Sequence, residues 1–187
     1  EEMEVEDLLY GLLVYSANDA AEVLALNFPG GRDLFIVAMN LKAKELGLAH
    51  SKFSNPAGLD DGDGHVTTAR DLIRVSEIAM ENPLFAKIVG TKEKMVSSVN
   101  GKIVHRLKNL NELLGNVDGV MGVKTGWTEN ARENLVTYLE RDGRRVMIAL
   151  LGSQDRFGET RELIDWIFAS YRWQEVKPPV TLRNILP

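Results

Sequence analysis

The residues best equipped for chemistry stand together in Val123-Lys124-Thr125-Gly126-Trp127, inside a longer run from Gly119 to Asn130. Valines and a methionine make that run read as a strand, and packing alone asks for neither a lysine, a hydroxyl nor a glycine there. On a strand edge the three have a use. The ammonium supplies charge, the hydroxyl a hydrogen bond, and the glycine lets another backbone come close. An extended peptide could lie along that edge as an added strand. A Lys-Thr-Gly also arises by chance in about one chain in twenty-five of this length, so alone it decides little. Far upstream lies a second polar group, Ser16-x-Asn18, which a helix N-cap explains equally well. Arg156 is a third candidate: a guanidinium can grip a carboxylate through two hydrogen bonds, or it can simply sit on the surface of a helix's first turn.

Three kinds of element have to position these groups. After Val5, Leu8, Leu9, Leu12 and Leu13 form a helical stripe. The stripe breaks at Ser16, Asn18 and Asp19, cap-type residues before a second helical run. A third helix places Leu34, Val37, Ala38 and Leu41 on one face, with Gly47 as its stop. Residues 51–65 are dense in turn formers and predict a loop. Thr68-x-x-Asp71 reads as a capping box opening a helix of Leu72, Val75 and Ala79 that ends before Pro83, and a short helix follows from Phe85 to Val89. The period then shortens. Strand patterns flank Asn100-Gly101 and again Asp142-Gly143, both strong hairpin turns, with the lysine-bearing strand between them. An amphipathic helix with Leu163, Ile164, Ile167, Phe168 and Tyr171 closes the pattern. Helices, then strands, then a helix predict an α+β fold, an antiparallel sheet flanked by helices.

Composition narrows the functions. The 187 residues are 44% hydrophobic and 26% charged with a net charge of -5, which suits one globular domain and argues against a nucleic-acid surface. No run reaches the roughly 18 apolar residues of a membrane span, and no signal-peptide pattern opens the sequence. The absence of cysteine excludes disulfides and a thiol nucleophile. His50, His65 and His105 lack ligand spacing, so no metal and no cofactor is expected. Asp60 to His65 lacks the terminal glutamate of a calcium loop and reads as a polar turn. Methionines read as core filler, and Trp166 and Phe168 as part of the helix that packs on the sheet.

Ser-x-x-Lys, then Ser-Asp-Asn, then Lys-Thr-Gly is the motif series of active-serine penicillin-binding proteins and class A β-lactamases. Around the last two motifs, the blocks 5–25, 53–72, 107–131 and 151–168 together resemble the low-molecular-weight D-alanyl-D-alanine carboxypeptidases, in order and spacing, from about Met3 to Tyr171. The resemblance implies the β-lactamase/D,D-peptidase fold and a set of roles. Ser16 matches the serine that relays protons around the nucleophile, and Asn18 the asparagine that holds the substrate amide carbonyl. Lys124 matches the lysine that sets the field for proton transfer. Thr125 and Gly126 line the substrate edge, and the backbone N–H of Trp127 matches half of the oxyanion hole. Arg156 aligns with an arginine that receives the free C-terminal carboxylate. The substrate implied is a peptidoglycan stem peptide, the inhibitors β-lactams, and the location extracytoplasmic and membrane-associated, with no nucleic acid involved.

Two departures stand out. Ala131-Arg132 stands where the family usually has Ala-Gly, and no serine has a lysine three positions on: Ser16 leads to Asp19, Ser51 to Ser54, Ser153 to Arg156. The expectation is therefore an N-terminally incomplete peptidase domain over 1–172, inactive by itself and prone to self-association, with residues 173–187 and their Pro178-Pro179 as a linker or the start of a C-terminal segment. The alternative is a non-catalytic peptidoglycan- or partner-binding domain that has lost its first motif.

Overall fold

Asp142 and Gly143 both take positive φ, 53° and 71°, the left-handed pair that matches a two-residue turn to the twist of its strands. They join β4 (Arg132–Arg141) to β5 (Arg144–Ser153). Strand β3 (Val120–Thr128) pairs antiparallel on the other side of β4, giving the order β3-β4-β5. A separate hairpin pairs β1 (Glu93–Ser97) with β2 (Val104–Lys108) across the Asn100-Gly101 turn, where Gly101 has φ 68°. The computed structural model of this chain describes residues 1–62 and 64–174. Of the expected linker over 173–187, only Trp173 and Gln174 fall among them.

Among the described residues six helices complete the fold: α1 (Val5–Val14), α2 (Asn18–Leu26), α3 (Gly31–Glu45), α4 (Ala69–Met80), α5 (Pro83–Val89) and α6 (Arg156–Ser170). Both faces of the three-stranded sheet are covered. On one, Ile164 of α6 meets Leu135, Leu139 and Ile148 with Leu113 and Leu114. On the other, Val123 and Val136 meet Val89 at the end of α5, with Leu72 and Met80 of α4 against them. A third core gathers Tyr10 and Val14 of α1, Ile88 of α5, Val96 of β1 and Leu107 of β2. The predicted α+β architecture, an antiparallel sheet with flanking helices, is the one observed.

Local chemistry explains most helix ends. Thr68 caps α4 by accepting from the Asp71 N–H at 3.2 Å, and Asn82 caps α5 ahead of Pro83 at its first position. Asp71 completes no reciprocal box. Its buried carboxylate accepts instead from Ser51 Oγ at 2.8 Å and the His50 N–H at 2.9 Å, tying the preceding loop to α4. Those hydrogen bonds, Ser51 first, hold its pKa below the usual carboxylate value.

Two helical stripes behave differently from their periodicity. In α3, Leu34, Val37 and Leu41 remain 51%, 51% and 64% exposed, and the residue α3 buries is Ala43. Periodicity finds an apolar face but not whether a neighbour covers it. In α6, Phe168 packs as expected, whereas Trp166 faces solvent edge-on to Tyr171, beyond the reach of the sheet.

Candidate active site

Lys124 projects from β3, and alternation along the strand puts Gly126 on the same face. Its register partner is Val136, on the side where Val123 and Val136 pack against Val89. The helical layer brings Ser16 to that same face. Lys124 Nζ donates to Ser16 Oγ at 2.6 Å, across 108 residues of sequence, and to the carbonyl of Thr125 at 2.6 Å.

Ser16 is no N-cap. The residue before α2 is Ala17, no side chain caps the helix, and Ser16 itself has φ 62° in the connection between α1 and α2. A left-handed conformation is costly for a serine, and here it accompanies the turn that aims the hydroxyl at the lysine. Asn18 begins α2 with its side chain exposed and outside any hydrogen bond among the described residues.

Burial, and then the positive charge of Arg156, push the Lys124 pKa down from 10.5 to about 8. A lysine so placed is mostly protonated at neutral pH yet close enough to its pKa to exchange a proton with the hydroxyl it touches. No carboxylate forms an ion pair with it among the described residues. The field there is positive.

Gly126 is not demanded by the fold. A Cβ at that position would meet only Asn134 Cβ, at 3.7 Å, an ordinary contact. Its missing side chain therefore clears the floor beside Lys124. Thr125 is buried on the opposite face, paired with Leu135, and the Trp127 side chain is 66% exposed. In the described residues β3 is an edge strand, so one side of its backbone carries no partner strand.

Arg156 opens α6, with Asp155 as N-cap accepting from the Gly158 N–H at 2.9 Å. Its own N–H donates to Glu133 Oε2 at 3.0 Å, and Nη1 donates to the Gly126 carbonyl at 3.0 Å, so the guanidinium grips the strand beside Lys124. Nε finds no partner among the described residues. The sequence-derived positions Ser16, Lys124, Gly126 and Arg156 thus share one locality, with Asn18 next to it on α2.

Two contributors went unnoticed in the sequence. Glu133 fixes the start of α6. Asp60 accepts from Thr128 Oγ1 at 2.7 Å and from the Asn130 N–H at 3.2 Å, holding the far end of β3. Asp60 lies in a segment that reads only as a polar turn, because nothing local shows what a turn residue touches seventy positions away.

Residues 1–155 match the model of a peptidase family described as D-alanyl-D-alanine carboxypeptidase. The D-alanyl-D-alanine carboxypeptidase DacB2 of Mycobacterium tuberculosis is 39% identical over 169 residues, covering 87% of this chain but 57% of that protein. Among solved structures, a D-alanyl-D-alanine carboxypeptidase from Mycobacterium tuberculosis superposes with TM-score 0.81 at 37% identity, over 92% of this chain and 67% of its own. The Streptomyces K15 DD-transpeptidase superposes with TM-score 0.81 at 32% identity, over 88% and 67%. The chain spans little more than half the length of its curated relative, and it belongs to the D-alanyl-D-alanine carboxypeptidase family.

Proposed function

We propose that this chain is the substrate-edge and proton-relay part of a serine-type D-alanyl-D-alanine carboxypeptidase, which removes the terminal D-alanine of peptidoglycan stem peptides through an acyl-enzyme. The observation that carries the reading is the 2.6 Å contact of Lys124 Nζ with Ser16 Oγ beside the open edge of β3. In this account the stem peptide lies antiparallel along β3. Asn18 holds the penultimate amide carbonyl, the backbone of Thr125 and Gly126 lines the edge, and the Trp127 N–H donates to the oxygen that becomes negative. Arg156 receives the terminal carboxylate through the part of its guanidinium not committed to Gly126. Ser16 and Lys124 pass a proton between the nucleophile and the leaving amine.

No Ser-x-x-Lys occurs in these 187 residues, so the attacking alkoxide and its base lie outside them. The chain binds but does not turn over. β-Lactams acylate the complete enzyme, which acts outside the cytoplasmic membrane and attached to it. Residues 1–172 form the peptidase part, followed by a linker. The isolated chain self-associates, since uncovered apolar surface seldom persists in monomers.

Calorimetric titration with an acylated L-Lys-D-Ala-D-Ala peptide tests the reading. The free carboxylate form should bind, its C-terminal amide should bind on the order of ten-fold more weakly, and Arg156→Ala should erase the difference. Equal binding of acid and amide by the unaltered chain would contradict it.

A further inference from the structure

The residues around Asp60 form a continuous strut between the helical layer and the tip of the β3–β4 hairpin. It starts on α3, where Asn40 Nδ2 donates to the Phe53 carbonyl at 2.7 Å and Asn40 Oδ1 accepts from the Phe53 N–H at 2.9 Å. Lys52 and Val66 close the base of the loop through reciprocal backbone bonds of 2.9 Å. Inside it, the buried Asn55 folds the chain over itself. Its Oδ1 accepts from Gly58 and Leu59 N–H at 2.7 and 3.0 Å, and its Nδ2 donates to the Leu59 carbonyl at 2.9 Å. The next residue is Asp60, whose two carboxylate oxygens each take one donor from the hairpin tip, Thr128 Oγ1 and the Asn130 N–H. Thr128 Oγ1 in turn accepts from the Ala131 N–H at 3.0 Å, so the tip is bonded to itself as well as to the strut.

Trp127 sits between two such anchors. On one side the Gly126 carbonyl is held by Arg156, and on the other the Thr128 hydroxyl is held by Asp60. A hairpin tip is otherwise the part of a sheet most free to fray. A backbone donor must be fixed to within a fraction of an ångström to stabilise developing charge.

We propose that Asp60 is a positioning residue: through Thr128 and Asn130 it fixes the end of β3 so that the Trp127 N–H and the open edge keep the geometry a bound peptide needs. This rests on the reading of β3 as the substrate edge. The strut carries no chemistry itself and touches no substrate. It transmits the rigidity of α3 to the donor.

The test uses the chain as it stands, with Asp60→Ala, Asp60→Asn and Thr128→Val. Amide hydrogen exchange at residues 127–131 and calorimetric affinity for the acylated L-Lys-D-Ala-D-Ala peptide are read together. Exchange should speed up in Asp60→Ala and in Thr128→Val while α4 and α6 keep their protection. Peptide affinity should fall on the order of ten-fold in both, as expected for losing hydrogen bonds to a charged group. Asp60→Asn, which keeps an acceptor, should recover most of the affinity. Unchanged exchange at the tip would overturn the strut. Faster exchange with unchanged affinity would show that it only stabilises the hairpin, and would equally overturn the proposal. If Asp60→Ala unfolds, Thr128→Val decides alone. Failure of the unaltered chain to bind the peptide is the separate signature of a wrong substrate reading, which reduces the strut to architecture.

Discussion

The two sheets are supported in different ways. The three-stranded sheet has a helical layer on each face, and its polar groups near Lys124 reach partners far away in sequence. The β1–β2 hairpin packs Val96 and Leu107 against α1, and the same two residues border a groove of about 860 Å³ between α1, α2 and β2. Val5 and Leu8 of α1, Val23 and Leu24 of α2, and Val104 of β2 line that groove. Acidic Glu2, Asp7 and Asp19 stand around it. An isolated two-stranded sheet is marginal without a further strand or helix against it. The strand that carries Lys124 is thus held between two cores, whereas the groove is partly apolar and runs beside the Ser16 turn, with Tyr15, Ala17 and Asp19 in its lining.

The largest expected effect concerns turnover. With no Ser-x-x-Lys in the sequence, D-alanine release from a pentapeptide should fall about a million-fold below that of a complete enzyme, the loss typical of a missing nucleophile. Intact-mass measurement after incubation with penicillin should show no adduct. An adduct mapped to Ser16 would mean that the relay serine is itself the nucleophile.

Stability should divide along the same line. Leu139 is fully buried between the sheet and α6, and Leu139→Ala should cost about 3 kcal/mol in urea unfolding. Val104, 56% exposed on the groove wall, should change stability by less than about 0.5 kcal/mol when cut to alanine. Comparable costs at the two positions would erase the distinction between the sheets. Assembly should respond in the reverse sense: sedimentation of the unaltered chain should show reversible association that Val104→Lys weakens, while Leu139→Ala at folded conditions leaves it.

A smaller effect tests the buried lysine. Folded Lys124 titrates near 8 rather than 10.5, so the folded chain releases this proton before the unfolded chain does. Well below pH 8 both states are protonated and the full burial penalty is present. As pH rises from about 8 towards 10.5 the penalty fades. The stability of the unaltered chain relative to Lys124→Met should therefore rise across that window. A flat or falling difference would show Lys124 to be ordinarily solvated.

Much of the fold was legible because its signals are local. Asn100-Gly101, Asp142-Gly143, Thr68 and Pro83 mark turns and helix starts through their own backbone preferences. The Lys-Thr-Gly stands out as residue types without a packing role, whereas Ser16-x-Asn18 is singled out only by the family resemblance of the blocks around it. What stayed hidden is long-range. The exposed stripe of Leu34, Val37 and Leu41 has the same periodicity as a packed one. Ser16 looks like a cap until the lysine is seen beside it, and Asp60 looks like a loop residue until Thr128 is seen to need it. Each case turns on which partner arrives, and sequence spacing does not carry that.

The account rests on β3 being the edge on which substrate lies, and amide chemical-shift mapping tests this most directly. An ¹⁵N-labelled chain would be titrated with acylated L-Lys-D-Ala-D-Ala and, as control, its L-Ala-L-Ala isomer. The account predicts shifts confined to residues 123–128, Ser16, Asn18 and Arg156 with the D-isomer and weaker ones with the L-isomer. Shifts centred on α1, α2 and β2, or none in a folded chain, would contradict it.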